Sequence, residues 1–208
     1  MLMLKLTPEG TIDRYPYPLG DLMADHPNTS FALPLNPSDL ADFGVPAVAE
    51  TPAPEATIEQ TVTEAAPQLV GGVWTQQWEV TQAQPELVAE RRQALVESID
   101  NACAAVYTRV GRFAEEYKER EAQALAYKAA GYTGAVPRQV AAFSTPAGVT
   151  PTYATDLILS QAAQLRGALS ALGELRMRKY EVKLLPLVEA SAVHAEVMAA
   201  VRVIGAAL

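Results

Sequence analysis

Side chains that carry chemistry are scarce in this sequence. In 208 residues cysteine occurs once, at Cys103, and histidine twice, at His26 and His194. A lone thiol rules out an intrachain disulfide, so nothing ties the fold to an oxidising compartment. These three residues lie in distant segments without ligand spacing, which argues against a metal centre. No metal and no other cofactor is expected. The chain lacks a GxGxxG motif, a P-loop and a nucleophile elbow. Gly71-Gly72 is not followed directly by a helix, so it reads as a turn and not as a phosphate loop. Glu115 and Glu116 would point to different sides of a helix, unlike a glycosidase pair. The N-terminus, MLMLKLTPEG, has neither the basic start nor the long apolar run of a signal peptide. The apolar stretch 187–208 contains Glu189, His194, Glu196 and Arg202, which are expensive in lipid, so a buried or oligomeric helix is expected there and no membrane insertion.

Charge is present but unevenly placed. Of the net −8, residues 1–84 hold eleven acids against two bases, whereas residues 85–208 hold thirteen acids against fourteen bases. The acidic half disfavours nucleic acid and anionic membrane as partners. The bases of the second half alternate with acids and read as a solvated helix face. Half of the residues are hydrophobic, many of them alanine, which suits a thin helical seam better than a thick globule.

Leu2, Leu4 and Leu6 alternate with Met3 and Lys5 as a short strand, and Thr7-Pro8-Glu9-Gly10 is turn chemistry that returns the chain over Thr11–Tyr15. Short helical turns are expected at Gly20–Asp25 and Ser38–Phe43. Residues 45–57, rich in proline, alanine and acid, read as a linker or extended arm. Gly71-Gly72 then joins two strands. In the second of them Trp74, Gln76, Trp78 and Val80 share one face. The two tryptophans suit either a core face or a subunit contact.

From Pro85 to Ala130 the pattern is that of one uninterrupted helix, roughly 70 Å long at 1.5 Å per residue. Pro85 suits its first position and Gly131 its stop. Leu95, Ile99, Ala102 or Cys103, Val106, Val110, Phe113 and Tyr117 form its seam, in steps mostly of three and four that signal packing along another helix. Thr150-Pro151 starts a second long helix that folds back antiparallel, and Gly167 and Gly173 within it suggest close helix–helix approach. Pro186 kinks or ends that helix, and 188–208 forms a last segment rich in alanine and valine. The expected fold class is therefore α+β. A small β-rich docking domain occupies 1–84, with its proline-rich arm at about 45–57. A long, coiled-coil-like antiparallel helical hairpin with a kinked C-terminal helix occupies 85–208. The candidate protein–protein interface comprises Trp74 and Trp78, the seam residues Val106, Val110, Phe113 and Tyr117, and Val193, Val197, Val201 and Ile204 of the last segment.

Several runs carry a resemblance: TIDRYPYPLGDL (11–22), NTSFALP (28–34), SDLADFGVPAV (38–48) and above all GGVWTQQWEVTQAQPE (71–86). With GYTG (131–134), ATDL (154–157) and RMRKYE (176–181), they resemble tail-fibre-associated and virion proteins of tailed bacteriophages. In that family a short β-rich module ends in a tryptophan strand and passes into a helical tail. The resemblance implies a non-enzymatic structural or adaptor component of a phage tail, linked to fibres or baseplate and assembled in the host cytoplasm. Its partners would be other tail proteins and, through the helical region, further copies of itself. A tail-fibre assembly chaperone that leaves the finished particle is the alternative. An enzyme such as a cell-wall hydrolase would need a His–carboxylate set that the sequence does not offer.

Overall fold

The computed structural model describes residues 1–208, and the chain divides into two compact units, Met1–Gln84 and Pro85–Leu208. It is an α+β protein, mostly helical.

The first unit contains strands β1 (Leu2–Met3), β2 (Lys5–Leu6) and β3 (Ile12–Arg14), helices α1 (Leu19–Asp25) and α2 (Pro37–Ala41), and strands β4 (Ala47–Val48), β5 (Gln60–Val70) and β6 (Val73–Gln82). They pair antiparallel as β1–β4, β2–β3 and β5–β6. The β2–β3 turn closes through the Gly10 amide donating to the Thr7 carbonyl at 2.9 Å. At α2 the Asn36 side chain accepts from the Ser38 amide and Pro37 takes the first turn, the start expected of that sequence. Met3, Tyr17, Leu22, Leu40 and Val45 form the core, flanked by Leu19, Phe31, Leu35 and Phe43. His26 meets Phe31 and Phe43 edge-on, at 6.3 and 5.0 Å between ring centres, so this histidine packs as an aromatic.

The arm at 45–57 departs from a free linker. Val45 is fully buried, Ala47 and Val48 pair with Met3 and Leu2 as β4, and Ala49 bridges Thr75 of β6 in parallel. The apolar run at the start of this stretch buries Val45 and Val48, whereas its later residues, 50–57, lack regular structure.

The helical unit comprises α3 (Pro85–Gly111), α4 (Ala114–Ala129), α5 (Arg138–Ala147), α6 (Pro151–Met177), α7 (Lys179–Leu184) and α8 (Leu187–Ala207). The expected single rod is broken at Arg112–Phe113, where Phe113 adopts φ −121°, ψ 27°. Gly111, a poor helix former, directly precedes the break.

The contacts read like a ladder. Arg92, Asp100, Tyr107, Glu121 and Lys128 meet Leu185, Arg176, Leu169, Arg166 and Asp156 in turn. The numbers rise on one side and fall on the other, so α3 and α4 run antiparallel to α6 and α7. Ser98 meets His194 and Arg109 meets Gly205, so α8 runs alongside α3 in the same direction. The unit is therefore a bundle with two cores and not a simple hairpin. One core joins Val96, Ile99, Cys103 and Val106 to Leu172, Val182, Ala190, Val197 and Val201. The other joins Ala124 and Val140 to Ala154 and Ile158, so α6, about 40 Å long, contributes to both.

Pro186 shapes the turn between α7 and α8. A continuing helix would satisfy the Val182 carbonyl with the amide of residue 186, which proline does not have. Arg92 of α3 supplies the missing donors, its guanidinium reaching the Val182 and Leu185 carbonyls at 2.7 and 2.6 Å.

Candidate functional site

In the first unit a polar network binds the arm to the long hairpin of β5 and β6. Gln76, buried on β6, donates through Nε2 to Glu64 Oε1 at 2.7 Å, and Tyr15 Oη donates to the same oxygen. The Thr51 amide donates to Gln76 Oε1 and its hydroxyl to the Gln76 carbonyl, both at 3.0 Å. The Trp78 indole N–H reaches Thr51 Oγ1 at 3.1 Å. Burial, then the Glu64 carboxylate, pushes the Tyr15 phenol up to about 12. Elsewhere in the unit Tyr17 Oη and Lys5 Nζ both donate to Asp25 Oδ2, at the end of α1, at 2.8 and 2.6 Å. Burial and Asp25 push the Tyr17 phenol up to about 12 as well, and Lys5 foremost holds the Asp25 carboxyl below its ordinary range. These groups are held by hydrogen bonds within the unit, which suits holding a shape better than moving protons.

Away from this network the hairpin is bare. Gly71 and Gly72 carry φ of +57° and +83°, the left-handed pair that a tight two-residue turn needs. On either side of them Leu69, Val70 and Val73 are 59%, 56% and 53% exposed. Trp74 and Trp78 are half-buried and belong to none of the three hydrophobic clusters.

The seam residues divide. Val106, Val197 and Val201 lie in the core of the bundle, and Val193 packs against it. The partners of Val106, Val197 and Val201 are within the chain, while Val193, Val110 and Ile204 are half-buried. Phe113 and, to a lesser degree, Tyr117 are exposed where the helix breaks, with their rings edge-on at 6.4 Å. Arg112 and Arg120 lie over them. The break rotates this part of the periodic stripe out of the core. Gly205 is the close approach: a Cβ there would come within 3.3 Å of Val106 Cγ2. Gly173 would meet Tyr107 Oη at 3.6 Å, and Gly167 faces open space, contrary to the expectation for that position.

Two cavities have defined linings. One of about 450 Å³ in the first unit is mainly apolar, lined among others by Met1, Met3, Pro16, Tyr17, Leu19 and Leu35. One of about 370 Å³ in the helical unit is lined by Asp100, Asn101, Ala104, Tyr107, Thr108 and Arg176. Asp100 there is shared between Lys179 Nζ at 2.7 Å and Arg176 Nε at 2.8 Å, which hold its carboxyl below the ordinary range. This triad ties α3 to the α6–α7 junction. Cys103 is buried in the same helix and burial pushes its thiol up, away from reactivity. No three of the His, Cys, Asp and Glu side chains converge as metal ligands, and no helix is long and apolar enough to cross a membrane.

The chain has a bacteriophage relative. Over 100 residues it is 46% identical to the "Uncharacterized 23.3 kDa protein in lys 3'region" of Haemophilus phage HP1, a match that takes in 48% of this chain and 50% of that one. The chain thus spans about half the length of this relative. No family model matches the chain, and no solved structure matches it.

The sequence marks Gly71-Gly72 as a turn but not the exposed apolar surface around it. Its signal is there: Leu69-Val70-Gly71-Gly72-Val73-Trp74 puts apolar residues immediately around a two-glycine turn. Arg92 as a cap on another helix has no local signal, because its partners lie about 90 residues away.

Proposed function

We propose that this chain is a non-enzymatic structural adaptor of a tailed bacteriophage, associated with the fibres or baseplate of the tail. The observation that carries the reading is the relationship to a phage protein across 48% of the chain. It is supported by the resemblance of residues 11–48 and 71–86 to tail-fibre-associated proteins, and by an acidic first unit whose hairpin ends in exposed apolar residues. On this reading residues 1–84 dock on another tail protein through the hairpin. The helical unit acts as a rigid spacer, its two cores sharing α6. Self-association through the helical unit would use the exposed Phe113 and Tyr117, since Val106, Val197 and Val201 are consumed by the fold.

The test is genetic. A phage carrying an amber codon early in this gene, grown in a non-suppressing host, is expected to yield particles with defective or fibre-less tails in electron micrographs. Complete, infectious particles from that host would overturn the reading.

A further inference from the structure

The β5–β6 ribbon is a two-stranded sheet, an arrangement that is marginal alone and usually gains a third strand. Its two edges differ. On β6 the outward carbonyl of Trp74 accepts from the Ala49 amide at 2.8 Å, and the outward amide of Gln76 donates to the Ala49 carbonyl at 2.9 Å, so that edge is taken. On β5 the phase of the ladder follows from Ala83, whose amide donates to the Glu59 carbonyl at 2.8 Å. Counting in twos, Thr61↔Thr81, Thr63↔Glu79 and Ala65↔Gln77 are the hydrogen-bonded pairs. Val62 and Glu64, between them, turn their amides and carbonyls outward. No other backbone segment pairs with Val62 or Glu64.

We propose that the outer edge of β5 accepts a basic, extended segment of another protein as a third strand. Main-chain pairing gives such an edge affinity for any strand; charge selects which one. From residue 15 to residue 90 there is no lysine or arginine, while Glu50, Glu55, Glu64 and Glu79 all lie on the ribbon or the arm beside it. The two bases of the first unit are already paired, Lys5 with Asp25 and Arg14 with Asp21. A second copy is the poorer occupant, because edge-to-edge pairing of two β5 strands would bring Glu64 and Glu79 of one ribbon against the same acids of the other. Pro67 and the register shift between Ala65 and Gln68 limit the usable edge to its first half, where these acids sit. The exposed Leu69, Val70 and Val73 beyond the shift offer apolar contact to whatever carries the strand. This inference deepens the adaptor reading by specifying what the docking unit takes. It is tested on the purified chain, so its failure and the failure of the phage assignment are separable.

The experiment is fluorescence anisotropy of a labelled alternating lysine–valine octapeptide against the full chain, beside a glutamate–valine octapeptide. The basic peptide is expected to bind at least about ten-fold more tightly than the acidic one, and to weaken as salt is raised. Amide hydrogen exchange with the basic peptide bound should slow at Val62 and Glu64 and stay unchanged at Thr61 and Thr63. Val62→Pro, which removes an outward amide and no ladder bond, should abolish binding while the exchange protection of Thr61 and Thr63 persists. Equal binding of both peptides, unchanged exchange at Val62 and Glu64, or a concentration-dependent dimer lost on Val62→Pro would overturn the proposal.

Discussion

Val106 and Phe113 lie seven residues apart on one periodic stripe, yet they face different surroundings: Val106 is 8% exposed in the bundle core and Phe113 is half in water. Val106→Asp is therefore expected to cost about 3 kcal/mol or more, through an uncompensated buried charge, and Phe113→Asp less than about 1 kcal/mol. Urea unfolding of the two variants separates these outcomes; equal losses would restore the continuous seam. Arg92→Ala leaves the Val182 and Leu185 carbonyls without their charged donor, a loss of about 2 kcal/mol by the same measurement. Titration offers a third check. Burial holds the His194 imidazole, bonded to Ser98, below its ordinary 6.5. A depressed histidine contributes stability that is present above about pH 6.5 and lost as pH falls through the folded value. Asp100, depressed by Lys179 and Arg176 against an ordinary 3.8, adds a separate loss at more acid pH. His194→Gln should flatten the first step of the stability–pH curve and leave the second.

At the scale of elements, the glycines of the helices test the packing. Gly167→Ala, in open space within α6, is expected to stabilise the chain by about 0.5–1 kcal/mol. Gly205→Ala should be neutral or destabilising when the two variants are compared by thermal unfolding, because Val106 Cγ2 stands 3.3 Å from the new methyl group. Element types were mostly legible from local pattern. The Gly71-Gly72 turn, the proline starts at Pro85 and Pro151 and the fold-back of α6 follow from turn chemistry, caps and period. Two things were not. The break at Arg112–Phe113 depends on α4 having its own core with α5 and the start of α6, which a running period does not reveal. The destination of α8 is also tertiary, since an alanine- and valine-rich helix fits a neighbouring copy as readily as α3 of its own chain. Deleting residues 187–208 removes Leu187, Ala190, Val197 and Val201 from the core. The truncated chain should lose its cooperative unfolding transition; retention of that transition would contradict an internal role for α8.

At the scale of the molecule, composition separates the two units before any geometry. One is acidic and strand-rich, the other balanced in charge and helical. What composition cannot convey is which surfaces the fold uses up. Of the ten interface candidates, Val106, Val197 and Val201 are internal, Trp78 anchors the arm through Thr51, and Phe113 and Tyr117 remain exposed. The open edge of β5 depends on strand pairing, and a sequence alone does not state which edge the arm will occupy. The central claim, that this chain is a lasting part of a phage tail, is tested most directly by quantitative mass spectrometry of purified particles against a tail protein of known copy number. A fixed copy number, a multiple of three or six, is the expected result. Absence from particles together with abundance in infected-cell lysate would contradict it and make the chain an assembly chaperone.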